Sequence, residues 1–138
     1  MADSFSLDPQ LAADTHLVVR WSLSEVLLMD DARFPWIILV PRVPDVTEAF
    51  QLTDDQQHQL LRETTETGRA LSGAFGADKI NTAALGNVVS QLHVHVIARF
   101  HDDAAWPRPV WGTGTACRYD AGPLAEMLTR LRAALPPL

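Results

Sequence analysis

Residues 90–100 read "SQLHVHVIARF": Ser90, Gln91, Leu92, His93, Val94, His95, Val96, Ile97, Ala98, Arg99, Phe100. Side chains of an extended strand alternate between faces. Gln91, His93 and His95 therefore share one face, and Leu92, Val94 and Val96 line the other. Same-face neighbours stand roughly 6.6–7 Å apart. The apolar face belongs against a core. The polar face needs a reason, because a buried polar group without a partner costs about 1–3 kcal/mol. Three readings fit: histidines satisfied by their neighbours, two ligands of a metal ion, or a pair of imidazoles that act on a substrate. For a metal, only His16, His58, His101 and carboxylates remain as further ligands, and none is closely spaced with the pair.

Outward from this strand, "WIILVPR" (36–42), "SEVLLMDD" (24–31) and "HLVVRW" (16–21) read as three more strands, and "KINTAALG" (79–86) as a fourth running into a loop at Gly86-Asn87. Thr53 caps the clearest helix, 53–73, with Asp54 and Asp55 in its first turn and Leu60, Leu61, Thr64, Gly68 and Leu71 at helical spacing. Asp8 and Pro9 open a short helix within 7–15. A terminal helix over roughly 121–134 is stopped by Pro136-Pro137. Between them lies the irregular "WPRPVWGTG" (106–114). Strands, one long helix, two strands and a last helix make an α+β protein with an antiparallel or mixed sheet of about five strands.

The 138 residues fit one domain, 1–138, large enough to bury a core. With 47% hydrophobic and 20% charged residues, the chain is globular rather than disordered. A net charge of −6 gives no general attraction to nucleic acid or anionic lipid, although a few donors suffice for a phosphate site. The single cysteine, Cys117, excludes an intrachain disulfide and points to a reducing compartment. No signal-peptide pattern or membrane-length apolar run is visible, so a cytoplasmic location is expected.

"QLHVHVIAR" resembles the His-φ-His-φ-His-φ-φ signature of the histidine triad (HIT) superfamily, with Gln91 in place of the first histidine. "DDARFPWIILVPR" is similar to that family's acidic turn and its strand ending in Pro-basic. The helix 53–73 stands where its long helix stands, and "INTAALGNVVS" resembles its phosphate loop. The resemblance covers roughly 16–111 and implies the HIT-like fold.

It also implies roles. His93 would be the nucleophile that attacks the α-phosphorus of a nucleotide and forms a nucleotidyl-histidine intermediate. His95 would contact phosphate oxygens and assist the leaving group, and Gln91 would complete the catalytic face through its amide. Asn81, Gly86, Asn87 and Ser90 would hold phosphates, the Gly86–Ser90 backbone forming an anion-binding concavity; turn chemistry also accounts for the two asparagines. Leu27, Met29 and Phe34 would sandwich a base if they are not core, and Asp30 or Asp31 would receive ribose hydroxyls. Arg99, Arg108 and Arg118 are the basic candidates for a polyphosphate tail. Trp106 and Trp111 either cross a dimer interface or cap their own sheet. The implied protein is a homodimer that needs no cofactor beyond a divalent cation on its nucleotide. It hydrolyses or transfers from a dinucleoside polyphosphate, nucleoside phosphoramidate or nucleotide sugar. Because Gln91 cannot act as acid or base, a nucleotide-binding protein with little catalysis is the alternative.

Overall fold

The computed structural model describes residues 4–138. Five strands form one antiparallel sheet in the order β1-β2-β3-β5-β4: β1 is Thr15–Arg20, β2 Ser24–Met29, β3 Trp36–Pro41, β4 Lys79–Ala83 and β5 Val94–Arg99. Three α-helices accompany it, α1 (Pro9–Asp14), α2 (Asp54–Phe75) and α3 (Ala121–Ala134). The HIT-type α+β architecture expected from the sequence is the one observed, with every strand pairing antiparallel.

Local chemistry sets the element ends. Asp8 accepts from the Gln10 amide at 2.8 Å, with Pro9 at the first helical position. Thr53 and Gln56 form a reciprocal capping box at the start of α2. That helix ends at Gly76, whose φ of +64° is the left-handed conformation that a side chain opposes.

The inward stripe of α2 departs from the expected one. Leu60, Glu63, Thr67 and Leu71 are buried, while Leu61 is 67% exposed. Glu63 could not be read as core from its type. Its carboxylate is fully buried, accepting from the Leu23 and Ser24 amides at 3.0 Å each and from Gln59 at 2.9 Å, so it fastens the β1–β2 turn to the helix. Leu61, Thr64 and Gly68 instead flank an open groove beside the outer strand β4.

The sheet has two covered faces. Under α2 and α3 lie Val26, Leu28, Ile37, Leu39, Val94, Val96 and Ala98. Leu27, Trp36, Ile38, Val40 and Ile97 point the other way and pack with Leu11, Phe34, Ala105 and Val110. This second face is covered by the N-terminal segment and by the irregular chain after β5, and it carries His95 opposite Ile38.

Candidate active site

The histidine-bearing strand begins later than its pattern suggests. β5 starts at Val94, so both Gln91 and His93 stand ahead of the ladder and only His95 lies within the strand expected to carry all three. Alternation still puts His93 with His95. Their rings meet edge to face with centroids 4.9 Å apart, and each residue is 6% exposed.

His93 Nδ1 lies 2.6 Å from the backbone oxygen of Gln91. A carbonyl only accepts, so the neutral ring carries its proton on Nδ1 and keeps a lone pair on Nε2. His95 is oriented by a different partner: the Trp36 indole N–H donates to its Nδ1 at 3.0 Å. Trp36 is buried, and Trp111 stands against His95 with centroids 4.9 Å apart and interplanar angle 79°. Burial, then the charge His93 would carry, pulls His95 down to about 3. His95 is therefore uncharged throughout the neutral range.

Gln91 uses its side chain elsewhere. Its Oε1 accepts from the Asp8 amide at 2.8 Å and its Nε2 donates to the Ser6 oxygen at 2.9 Å. Only one amide orientation satisfies both bonds. They hold the segment before α1 beside the histidines, where Phe5 and Leu7 pack on the Trp36 cluster. Gln91 and Ser90, with Ser4–Pro9 and Pro44–Thr47, line an open pocket of about 480 Å³. The Gln91 amide, expected to complete the catalytic face, here bonds the segment before α1.

The loop before the pair turns at Gly86, whose φ is +82°. Asn87 and Ser90 are exposed beyond it. Asn81 shares the His95 face through its neighbour Ile97, but its Oδ1 accepts from Arg99 at 2.8 Å. Arg99 is 1% exposed and bound to Asp103 at 2.7 Å and to the Arg108 oxygen at 2.7 Å. It is a core cation, and no polyphosphate tail can reach it. Burial alone would raise the Asp103 carboxyl. Arg99 and the Phe100, Ala105 and Trp106 amides outweigh that and hold it well below the usual carboxylate range.

Asp30 and Asp31 are likewise engaged within the chain. Asp30 binds Arg118 at 2.7 Å and the Tyr119 amide at 2.9 Å, with His16 at 3.4 Å. Asp31 takes the Arg33 guanidinium at 2.8 Å and the Cys117 amide at 3.2 Å. Burial works to raise both carboxyls, and these donors win, leaving both below the ordinary value. Their geometry ties down the segment before α3 rather than presenting acceptors to a ribose. Leu27 and Phe34, at 2% and 1% exposure, are core, so neither can sandwich a base; Met29 is half-buried at the margin of the same cluster. Trp111 caps the sheet of its own chain, and Trp106 meets His101 edge to face with centroids 4.8 Å apart. Among the described residues no three His, Cys, Asp or Glu side chains converge as a metal site would require.

An α+β fold on one antiparallel sheet, with two paired imidazoles at the start of β5 and one of them oriented by the backbone just ahead of it, defines a histidine-triad type of protein. Residues 10–102 match the model of the HIT domain, and the chain belongs to that family. Among solved structures it is similar to a histidine triad protein of Bradyrhizobium japonicum, at 45% identity and TM-score 0.94 over 97% of this chain and 100% of that one. A HIT protein of Sinorhizobium meliloti matches at 44% and 0.93, covering 95% and 97%, and one of Marinobacter aquaeolei at 44% and 0.94, covering 96% and 97%. No curated protein matches the chain.

Sequence reasoning missed Trp36 as a partner of His95. Its strand was legible and its indole was not a signal, because the register that brings β3 beside β5 is a long-range fact. No helix among the described residues is long and apolar enough to cross a membrane.

Proposed function

We propose that this HIT protein is a nucleotide hydrolase or nucleotidyl transferase in which His93 attacks an α-phosphorus. The observation that carries the reading is the 2.6 Å contact from His93 Nδ1 to the Gln91 oxygen, which leaves Nε2 free as the nucleophilic nitrogen. The Nε2–P bond forms as the bond from phosphorus to the leaving group breaks, and the leaving group departs with its electron pair and takes a proton from solvent. Water then attacks the nucleotidyl-histidine, releasing the nucleoside monophosphate and restoring the neutral ring. His95 supplies contacts to the phosphate oxygens, and the turn at Gly86 with Asn87 and Ser90 holds the remaining ones. The substrate is a dinucleoside polyphosphate, a nucleoside phosphoramidate or a nucleotide sugar, with any divalent cation carried by the nucleotide.

The test is intact mass after mixing with a panel of adenine and guanine substrates and a quench that avoids acid. Wild type should gain one nucleoside monophosphate. His93→Ala should lose both the adduct and turnover, by several orders of magnitude. Turnover retained in His93→Ala would overturn the assignment. The second reading, a nucleotide-binding protein of this fold without catalysis or with only weak catalysis, is favoured by the engagement of the Gln91 amide with Ser6 and Asp8. Its limiting form predicts nucleotide binding with neither adduct nor turnover.

A homodimer belongs to the same proposal. The outer edge of β4 is unpaired in its sheet, and Leu61 stands exposed in the groove beside it, so a second copy can pair edge to edge about a two-fold axis. Sedimentation equilibrium should return twice the chain mass; a monomer at micromolar concentration would remove the dimer.

A further inference from the structure

We infer that Trp36 is a positioning residue that fixes His95 as the tautomer with its proton on Nε2. The inference rests on the reading of the His93–His95 pair as the reacting centre. An indole nitrogen has a hydrogen to give and no lone pair to offer, so the Trp36 Nε1 contact at 3.0 Å obliges His95 Nδ1 to accept. The only proton on the neutral ring then sits on Nε2. The neighbouring His93 is fixed the opposite way, because its Nδ1 faces a carbonyl oxygen. Two imidazoles with centroids 4.9 Å apart thus present complementary atoms, a bare nitrogen on one and an N–H on the other.

The surroundings keep this arrangement. Trp36 faces Ile97 across β3–β5, and its same-face neighbour Ile38 faces His95, so the indole reaches His95 diagonally. Phe34 and Trp111 meet the Trp36 ring edge on, at centroid distances of 6.3 and 5.9 Å, and leave it no room to swing away. Trp111 packs edge to face against His95, and among the described residues the Trp36 N–H is the hydrogen-bond partner of its Nδ1. His95 is consequently a hydrogen-bond donor toward phosphate oxygen and no general acid, since a neutral imidazole surrenders its last proton only far above neutral pH. Charge accumulating on the phosphate oxygens in the transition state is what such a fixed donor stabilises.

The experiment is ¹⁵N NMR of the ligand-free protein with labelled histidine and tryptophan. Wild type should show His95 Nδ1 as an unprotonated acceptor, Nε2 as protonated, and a through-hydrogen-bond coupling between Trp36 Nε1 and His95 Nδ1. In Trp36→Phe, which keeps an aromatic ring and removes the donor, His95 should become a mixture of tautomers. The kcat for a nucleotide substrate should then fall about tenfold with little change in KM, the loss of one hydrogen bond's worth of orientation. A wild-type His95 protonated on Nδ1 would overturn the inference, as would an unchanged tautomer in Trp36→Phe. Should that variant not fold, the wild-type coupling decides alone. Because the tautomer is read without substrate, a protein that binds nucleotide but turns nothing over would refute the proposed function and leave this assignment standing.

Discussion

On one face of the sheet, α2 and α3 cover a continuous apolar layer, and among the described residues the one buried acidic or basic group there is Glu63, which accepts from neutral donors alone. On the other face no helix longer than the six residues of α1 takes part, and the cover is the chain before β1 and after β5. That cover is held by charged groups: Arg99 with Asp103, Asp30 with Arg118, Asp31 with Arg33. The difference is instructive. A helix satisfies its own backbone and needs only an apolar stripe to dock, whereas irregular chain needs acceptors for its amides, and buried carboxylates supply them. The face that carries the histidines is the one that irregular chain covers, since loops can deliver Trp111 and the Ser4–Asp8 segment to places a helix would block.

The comparison breaks most visibly at Asp103. Asp103→Ala leaves Arg99, 1% exposed, without its carboxylate and strips the Phe100, Ala105 and Trp106 amides of their acceptor. A cost of about 3–5 kcal/mol is expected in urea unfolding. Glu63→Ala on the helix face orphans neutral N–H groups only and should cost about 1–3 kcal/mol. Equal losses, or the reverse order, would mean that charge is not what distinguishes the two covers.

A smaller effect comes with acid. His95 is held down to about 3 by burial and then by His93, against an ordinary value of 6.5. Between those values the unfolded chain binds a proton that the folded chain refuses, so stability falls as pH drops below 6.5, with a limiting slope of about 1.4 kcal/mol per unit. From pH 7 to pH 5 the loss attributable to His95 should be about 2 kcal/mol. His95→Gln should flatten that part of the profile. An identical slope in the variant would transfer the acid sensitivity to another group. The carboxylates behave differently, because Asp30, Asp31 and Asp103 are lowered and release their contribution only below the ordinary carboxylate range.

The helix face was the legible one. Thr53 with Asp54 and Asp55, the run at 36–42 and the Pro136-Pro137 stop mark elements whose causes are local, and the ends of α2 and α3 fall within two residues of the expected positions. His93 and His95 were legible too, since two-residue alternation is a local rule. The partners were not. Nothing at position 30 announces Arg118, and nothing at 91 announces Ser6 and Asp8, 83 residues or more away. Asp30, Asp31 and Phe34 looked like ligand contacts because carboxylates and an aromatic beside a strand suit a nucleoside equally well. Only the folded register shows that the chain itself occupies them.

Gln91 is where the two covers can be compared at the smallest scale, because its amide is a neutral clasp beside the ionic ones on the histidine face. Gln91→Ala removes one bond to Asp8 and one to Ser6 while leaving the Gln91 oxygen, and so the orientation of His93, in the backbone. The global stability should change by about 1 kcal/mol or less, since neutral exposed bonds contribute little net. The local consequence is larger in kind: the Asp8 amide should exchange its hydrogen about tenfold faster, and nucleotide turnover should change through KM rather than kcat. Gln91→His keeps a donor and an acceptor on a neutral ring and should retain the fold with an altered rate. A kcat collapse in Gln91→Ala with the Asp8 amide still protected would return the side chain to the reacting centre, and unfolding of Gln91→His would show this corner to be packed too tightly for an imidazole.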